Sequence, residues 1–271
     1  MKPELSIIIV SFNARADLER CLESLHASPP AAPHEIIVVD NASSDGSADA
    51  ARGWPGVRVI ETGANLGFAR GNNAGIRAST GTNLLLLNSD TIVPPQAIDR
   101  LIEDLTQHPD VAVIGPRLVG TDGRAELSFG RMIGPLTELR QQRLVRGHAR
   151  RDPKISAFVD QLTRREHAPD WVSGACLLVR RADAEAVGLL DERYRMYTED
   201  VDFCAAVRAR GRHIRFTPAV EIVHLRGRSA TAAPAATREA YRQSHLAFYE
   251  KHHPVIAPFL RLYLRLVRAD T

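Results

Sequence analysis

Asn83-Leu84-Leu85-Leu86-Leu87-Asn88-Ser89-Asp90 is the stretch whose reading decides the fold. Four consecutive leucines leave no polar face, so they read as a strand buried on both sides, as in a parallel sheet covered by helices. The strand then ends in an amide, a hydroxyl and a carboxylate. Ligands of open α/β sheets bind outside the carboxyl ends of the strands, so chemistry is expected at this ending. A carboxylate there can hold a divalent cation, and the cation can hold a diphosphate. The other reading is that Asp90 only makes a turn or caps the helix after Pro94-Pro95.

The pattern on either side of the leucines is regular. Leu5–Val10 is a buried strand, followed by an amphipathic helix over about 15–27 with Leu18, Cys21, Leu22 and Leu25 on one face. Glu35–Asp40 is a strand, a short helix follows Asp45-Gly46, and Val57–Ile60 is a strand. A helix over about 68–78 leads to the leucines; another covers about 95–105, and Val111–Ile114 closes the set. This alternation predicts an α/β fold with a doubly wound, mostly parallel sheet and helices on both faces. From about Gly120 to Pro169 the pattern loosens into an irregular, arginine-rich stretch. Order returns at Trp171–Arg180, with helices near Ala182 and over about 199–209, and short strands at His213–Phe216 and Val220–Val223. Residues 227–236 read as a mobile small-residue loop, and two helices, about 237–251 and 254–268, form a C-terminal extension.

At 271 residues, with 44% hydrophobic and 25% charged residues, the composition is that of an ordinary globular chain. No stretch approaches the roughly 18 apolar residues that span a bilayer. Met1-Lys2-Pro3 runs straight into a strand, which leaves no room for a signal peptide and predicts a cytoplasmic protein. Cys21, Cys176 and Cys204 lack metal-ligand spacing and read as core residues. The net charge of +3 says less than its distribution. Arg140, Arg143, Arg146, Arg150, Arg151, Lys154 and Arg164 crowd one region, and Arg261, Arg265 and Arg268 punctuate an apolar tail. An amphipathic basic helix suits an anionic membrane surface, so a peripheral place on the inner face of the membrane is one reading. A solvated helix face packed on its own domain is the other. Nucleic acid is not expected, because no aromatic residues interleave the arginines.

Two familiar nucleotide sites are absent: there is no Gly-x-x-x-x-Gly-Lys-Ser/Thr loop, and Gly67, Gly71 and Gly75 are not the dinucleotide fingerprint. The first strand instead ends Val10-Ser11-Phe12-Asn13, an aromatic face among polar groups where a base could stack. The second ends Asp40-Asn41-Ala42-Ser43-Ser44-Asp45-Gly46, whose carboxylate, amide and hydroxyls suit a nucleoside. Alternatively, Asp40 makes an Asx-turn.

In order along the chain, Ser6–Asn13, Val38–Gly46, Asn65-Leu-Gly-Phe-Ala-Arg-Gly-Asn-Asn73, Leu86–Thr91, Trp171–Cys176, Tyr197-Thr-Glu-Asp-Val-Asp-Phe203 and Val223-His224 resemble the inverting family 2 glycosyltransferases of the GT-A fold, in particular their rhamnosyltransferase-like branch. The similarity runs from about residue 5 to 230. It implies a domain over 1–230, with a nucleotide-binding half at 1–118 and an acceptor-binding half at 119–230, followed by the extension at 231–271. Phe12 would contact the base of a nucleotide sugar and Asp40 its ring nitrogen. Ser11, Asn13, Asn41, Ser43, Asn65, Gly67 and Arg70 would line the same site. Asn88-Ser89-Asp90 would stand for the family's Asp-x-Asp metal motif. Asn at its first position removes one charge and leaves Asp90 as the main carboxylate ligand. His224 would complete the site, which would take Mn²⁺ or Mg²⁺; without the resemblance it reads as a core histidine.

Thr198-Glu199-Asp200-Val201-Asp202 has its own structural reading, Thr198 as N-cap with acids in the first helical turn. The resemblance places the catalytic base in the Glu-Asp pair, at Asp200, with Glu199 and Gly174 toward the acceptor. An inverting transfer needs one carboxylate to take the acceptor's proton, with the leaving diphosphate's charge met by a metal. Trp171 either stacks on an acceptor sugar or anchors the core beside Cys176. The expected donor is a dTDP- or UDP-sugar, dTDP-L-rhamnose first among them. The expected acceptor is a glycan, such as one linked to polyprenyl diphosphate in cell-wall or surface-polysaccharide assembly. Two other functions stay open: nucleotidyl transfer on a similar sheet, and a catalytically silent nucleotide-sugar-binding protein.

Overall fold

The computed structural model describes residues 2–225 and 234–269, with side chains at 234–237 and 265–269 outside that description. The expected loop at 227–236 therefore lies largely outside the described residues, as do the side chains of Arg265 and Arg268.

Strands β1 (Leu5–Ser11), β2 (His34–Asp40), β3 (Val57–Glu61) and β4 (Asn83–Asn88) are joined by helices α1 (Arg15–Ala27), α2 (Ser47–Arg52) and α3 (Phe68–Ala78). A two-residue strand β5 (Thr91–Ile92), helix α4 (Ala97–Gln107) and strand β6 (Val111–Val119) follow. The eight-stranded sheet also takes in β9 (Cys176–Arg180) and β10 (His213–His224), in the order β3-β2-β1-β4-β9-β6-β10-β5. β1 pairs parallel with β2 and β4, β2 with β3, and β6 with β10. The sheet is mixed because β9 runs antiparallel between β4 and β6 and β5 antiparallel to β10.

The leucine strand shows why this sheet is covered on both sides. Leu85 and Leu87 join the core layer that holds Ile7, Ile9 and α1, whereas Leu84 and Leu86 join the layer that holds Ile8, Val39 and α3. A period of two on a strand with no polar face gives two apolar faces. Gly71 and Gly75 explain their spacing of four: a Cβ at either would press on Val10, or on Ile8 and Val39, so α3 lies against the sheet only because they are glycines.

Three expectations are corrected. The stretch read as irregular contains α5 (Pro135–Ala149) and α6 (Pro153–Thr163), which precede the small sheet of β7 (Phe129–Gly130) and β8 (Trp171–Val172) only in part, since β7 comes first in the chain. α5 buries none of its side chains, so it carries no apolar stripe to reveal it. α6 is capped by Asp152, whose carboxylate accepts from the N–H groups of Lys154 and Ile155 at 3.0 Å. The two short strands at 213–223 are one strand, β10, with an irregular register between Thr217 and Glu221 at Pro218. Finally, α4 starts at Ala97, not Pro95, because Gln96 sits in the left-handed region at φ 63°. Helices α7 (Arg181–Ala186) and α8 (Glu199–Ala209) complete the second half, and α9 (Pro234–His252) and α10 (Ala257–Ala269) form the C-terminal extension. The three cysteines are buried and free, and burial pushes the Cys21 thiol up to about 12.

Candidate active site

The parallel strands β1, β2 and β4 deliver their carboxyl ends to one edge, and two buried polar atoms there have no partner. Ser11 Oγ is one; Asp40 Oδ1 is the other, on a side chain only 1% exposed. Asp40 Oδ2 accepts from the Ser43 N–H at 2.9 Å. The Asx-turn and the open acceptor therefore coexist on one carboxylate. A buried polar atom without a partner is costly, which marks Asp40 Oδ1 as a position for a ligand donor. Phe12, next to Ser11 in the chain, is 40% exposed.

Several other expected residues shape this edge rather than facing it freely. Asn13 stitches the two strand ends: its N–H donates to Ser43 Oγ at 2.9 Å and its Oδ1 accepts from the Ser44 N–H at 2.8 Å. Asn41 Nδ2 donates to the Gly67 carbonyl at 3.1 Å, and Asn65 Oδ1 accepts from the Gly67 N–H at 3.1 Å. Gly67 has φ +85°, and a Cβ there would overlap the Arg195 carbonyl. Arg70 lies on the surface of α3, 3.6 Å from Glu192.

After β4, the chain turns through Ser89 and Asp90 into β5, which pairs with the end of β10 so that His224 stands opposite Thr91. The Leu225 N–H donates to the Asp90 carbonyl at 2.8 Å, which fixes the two segments. His224 Nε2 is 3.2 Å from Asp90 Oδ1 and 3.4 Å from Asn88 Nδ2. On the other side of the ring, Nδ1 is 3.1 Å from Glu126 Oε2. Burial works against the imidazolium, yet hydrogen bonds to Asp90 and Glu126 and their charges outweigh it, and the pKa is pushed up to about 9. Glu126 was not foreseen. A carboxylate on Nδ1 orients a histidine so that Nε2 can bind a metal, the arrangement found behind metal-ligating histidines. Among the described residues no three His, Cys, Asp or Glu side chains converge as a closed metal cage. Asp90 and His224 thus fit a cation that takes its remaining ligands from a bound diphosphate or water.

The Glu-Asp pair opens α8. Thr198 occupies the capping position, but its φ is 67°, its side chain makes no capping bond and its buried Oγ1 has no partner. The expected Thr198 cap is thereby corrected: on this left-handed backbone the hydroxyl makes no bond to the helix end. Tyr197 also has φ 67°, so two successive non-glycine residues are strained immediately before the pair. Asp200 Oδ2 accepts from the Gly174 N–H at 2.9 Å, and Oδ1 accepts from the Val201 N–H at 2.9 Å. Burial raises the Asp200 pKa, and these two amides oppose the rise. Glu199 is more deeply buried and its Oε2 has no partner. Burial, then the charge of Asp200, pushes its pKa up to about 8. The two carboxylates thus differ: Asp200 is held by two backbone amides, whereas Glu199, buried with an open oxygen, is pushed toward its neutral form.

One peptide segment joins the two halves of the site. The Asn88 N–H donates to the Ala175 carbonyl at 2.9 Å, and Gly174, one residue before, donates to Asp200. A side chain at Gly174 would meet the Phe68 ring and Asp200 itself. Trp171 is half-buried against Gly130, with its indole N–H donating to the Arg131 carbonyl at 2.9 Å. It packs against two core clusters, neither of which holds Cys176, the neighbour expected for an anchoring role.

Comparison with known proteins adds the following. The family model described as glycosyl transferase family 2 matches residues 6–187. An N-acetylglucosaminyl-diphospho-decaprenol L-rhamnosyltransferase of Mycobacterium tuberculosis is 31% identical over 274 residues, covering 93% of this chain and 86% of that protein. The rhamnosyltransferase WbbL of Escherichia coli strain K12 is 25% identical over 80% of this chain and 82% of its own length. A mannosyltransferase of Pyrobaculum calidifontis, solved in complex with GDP-Man and Mn²⁺, is 18% identical and covers 96% of this chain and 69% of its own. Its TM-score is 0.63, a likeness of fold.

Proposed function

We propose, from the premise that this chain belongs to glycosyl transferase family 2, that it moves L-rhamnose from dTDP-L-rhamnose, or another sugar from a dTDP- or UDP-donor, to a glycan linked to polyprenyl diphosphate. The protein is a nucleotide-sugar glycosyltransferase of the GT-A fold, acting with inversion in polysaccharide synthesis. Family membership decides against nucleotidyl transfer and against a silent binding protein.

The observation that carries the residue assignment is the unequal pair at the start of α8. Asp200 accepts from two backbone amides, whereas Glu199 is buried with its Oε2 unpartnered. In the proposed step, the acceptor oxygen attacks the anomeric carbon while Asp200 takes the hydroxyl proton. The bond from that carbon to the nucleoside diphosphate breaks, and the diphosphate leaves with the electron pair. Burial raises the basicity of Asp200 toward the working pH, as a general base requires. The partnerless Asp40 Oδ1 suits the ring N–H of a thymine or uracil, with Phe12 against the base. Asp90 and His224 would hold Mn²⁺ or Mg²⁺, which would neutralise the leaving diphosphate. Glu126 orients the His224 ring. On this reading residues 1–118 bind the donor and 119–230 face the acceptor.

Exposed apolar and basic side chains support the membrane reading. α5 exposes Leu136 and Leu139 beside Arg140 and Arg143, and α10 exposes Phe259 and Leu262 beside Arg261. His253 Nε2–H donates to the Ile133 carbonyl at 2.7 Å, which ties the start of α5 to the junction of α9 and α10. Apolar side chains ringed by arginines suit an anionic bilayer surface, where a polyprenyl acceptor resides. Among the described residues no helix is long and apolar enough to cross a membrane.

The test is thermal denaturation with dTDP, UDP, GDP or NAD, each with and without Mn²⁺. A ligand at about a hundred times its dissociation constant adds about 2.7 kcal/mol. A Mn²⁺-dependent rise with dTDP or UDP alone is expected; no rise with any diphosphate would remove the Asp90–His224 assignment.

A further inference from the structure

α9 is bolted to the rest of the molecule by one buried carboxylate, Asp202, and one partly buried carboxylate, Glu138. Asp202, two residues beyond Asp200 and 2% exposed, accepts from the Tyr194 hydroxyl at 3.1 Å, His252 Nε2 at 2.6 Å and Lys251 Nζ at 2.8 Å. Glu138 of α5 accepts from His245 Nε2 and the Tyr249 hydroxyl, each at 3.0 Å. These bonds fix an unbroken row of rings at four-residue spacing along α9 and the residue just after it. Tyr241 stacks on His245 at 5.7 Å and 8°, His245 meets Tyr249 at 5.0 Å, and Tyr249 meets His253 at 5.1 Å.

The row is buried at Tyr249 and open at its first ring. There Tyr241 meets Tyr197 edge-on at 5.8 Å, and both are 41% exposed. Tyr197 stands three residues before Asp200 and is held by left-handed backbone that a tyrosine adopts only under constraint. Arg146, exposed on α5, belongs to the same cluster: its Nη2 donates to Gln142 Oε1 at 3.1 Å, and Gln142 Nε2 donates to Glu138 at 2.9 Å. Two rigid, half-exposed aromatic rings beside the base and a guanidinium fit one chemical class, a sugar carrying a phosphate.

We propose that Tyr197 and Tyr241 form the stacking platform for the acceptor sugar, with Arg146 facing its diphosphate, so that the C-terminal extension completes the acceptor subsite. This rests on the glycosyltransferase reading. The clamps at Asp202 and Glu138 hold the platform in register with Asp200, which lowers the ordering cost of binding.

The experiment is steady-state transfer from saturating donor to farnesyl-diphosphate-linked N-acetylglucosamine, galactose or glucose, with purified full-length protein. Tyr241→Ala and Tyr197→Ala each raise the acceptor KM about tenfold, with kcat and donor KM within about twofold of wild type. Tyr241→Phe keeps the wild-type acceptor KM and the fold, because the ring face does the binding. Arg146→Ala raises KM for these probes but not for a phosphate-free octyl glycoside of the same sugar. An unchanged acceptor KM in Tyr241→Ala, or an equal rise in donor KM, overturns the platform while leaving the activity in place. A wild-type protein that transfers to none of the probes overturns the lipid-linked acceptor reading and this inference with it.

Discussion

Glu199→Gln separates the two carboxylates at the start of α8. The carboxyl of Glu199 is buried and its pKa is pushed up from an ordinary 4.5 to about 8. Below pH 4.5 the folded and unfolded chains both carry this proton, and the difference vanishes. Between 4.5 and about 8 only the folded chain holds it, so wild-type stability falls as pH rises through that window. Each pH unit is worth about 1.4 kcal/mol, so by pH 7 the loss reaches roughly 3 kcal/mol. Glutamine is neutral throughout and removes this dependence. Any constant cost of its unpaired amide is the same at every pH and does not alter the slope. Urea unfolding at pH 5, 6, 7 and 8 should show Glu199→Gln gaining on wild type at each step. Transfer at pH 7 should stay within about threefold, since Glu199 is already neutral there and Asp200 keeps its two amides. The acid limb of the wild-type rate should lie above the ordinary carboxylate range, because burial raises Asp200. A stability gap that shrinks with rising pH, or a hundredfold loss of transfer in Glu199→Gln, would refute the neutral state of Glu199.

Three further outcomes are expected. Glu126→Gln should weaken Mn²⁺ binding in the presence of dTDP or UDP by about 10- to 100-fold in calorimetric titration; an unchanged affinity would show that the Glu126 contact to His224 Nδ1 does not orient the ligand. Gly67→Ala should lower stability by at least about 2 kcal/mol in urea, since φ +85° and the Arg195 carbonyl both oppose a Cβ; a wild-type midpoint would contradict that geometry. Phe259→Asp with Leu139→Asp should abolish co-sedimentation with anionic vesicles and leave transfer to a water-soluble acceptor intact. Equal sedimentation of both proteins would remove the membrane face.

Much of the nucleotide half was legible because its strands are apolar on both faces and its helices carry a 3.6-residue stripe. The Leu84–Leu87 strand and α3 follow from those patterns directly. The stretch from 120 to 169 was not, because α5 is held at its start through Ile133 and at Glu138 and buries no stripe of its own. Glu126 was invisible for another reason. It meets His224 across 98 residues, through a contact that exists only once β10 has paired with β6 and β5. Asp202 read as an acid favoured by the helix dipole; its actual partners, Lys251 and His252, lie in the last turn of α9. The strand-end residues were expected as a set, and the structure divides them. It leaves Asp40 with an open oxygen and ties Asn13, Asn41 and Asn65 into the loop.

The central claim is that Asp200 is the base of a nucleotide-sugar transfer, and single-turnover transfer by Asp200→Asn tests it most directly. With donor saturating and its binding measured in the same preparation, the account predicts a rate about 10²- to 10⁴-fold below wild type and donor affinity unchanged within about threefold. Transfer at the wild-type rate by Asp200→Asn, with donor bound as tightly, would contradict it.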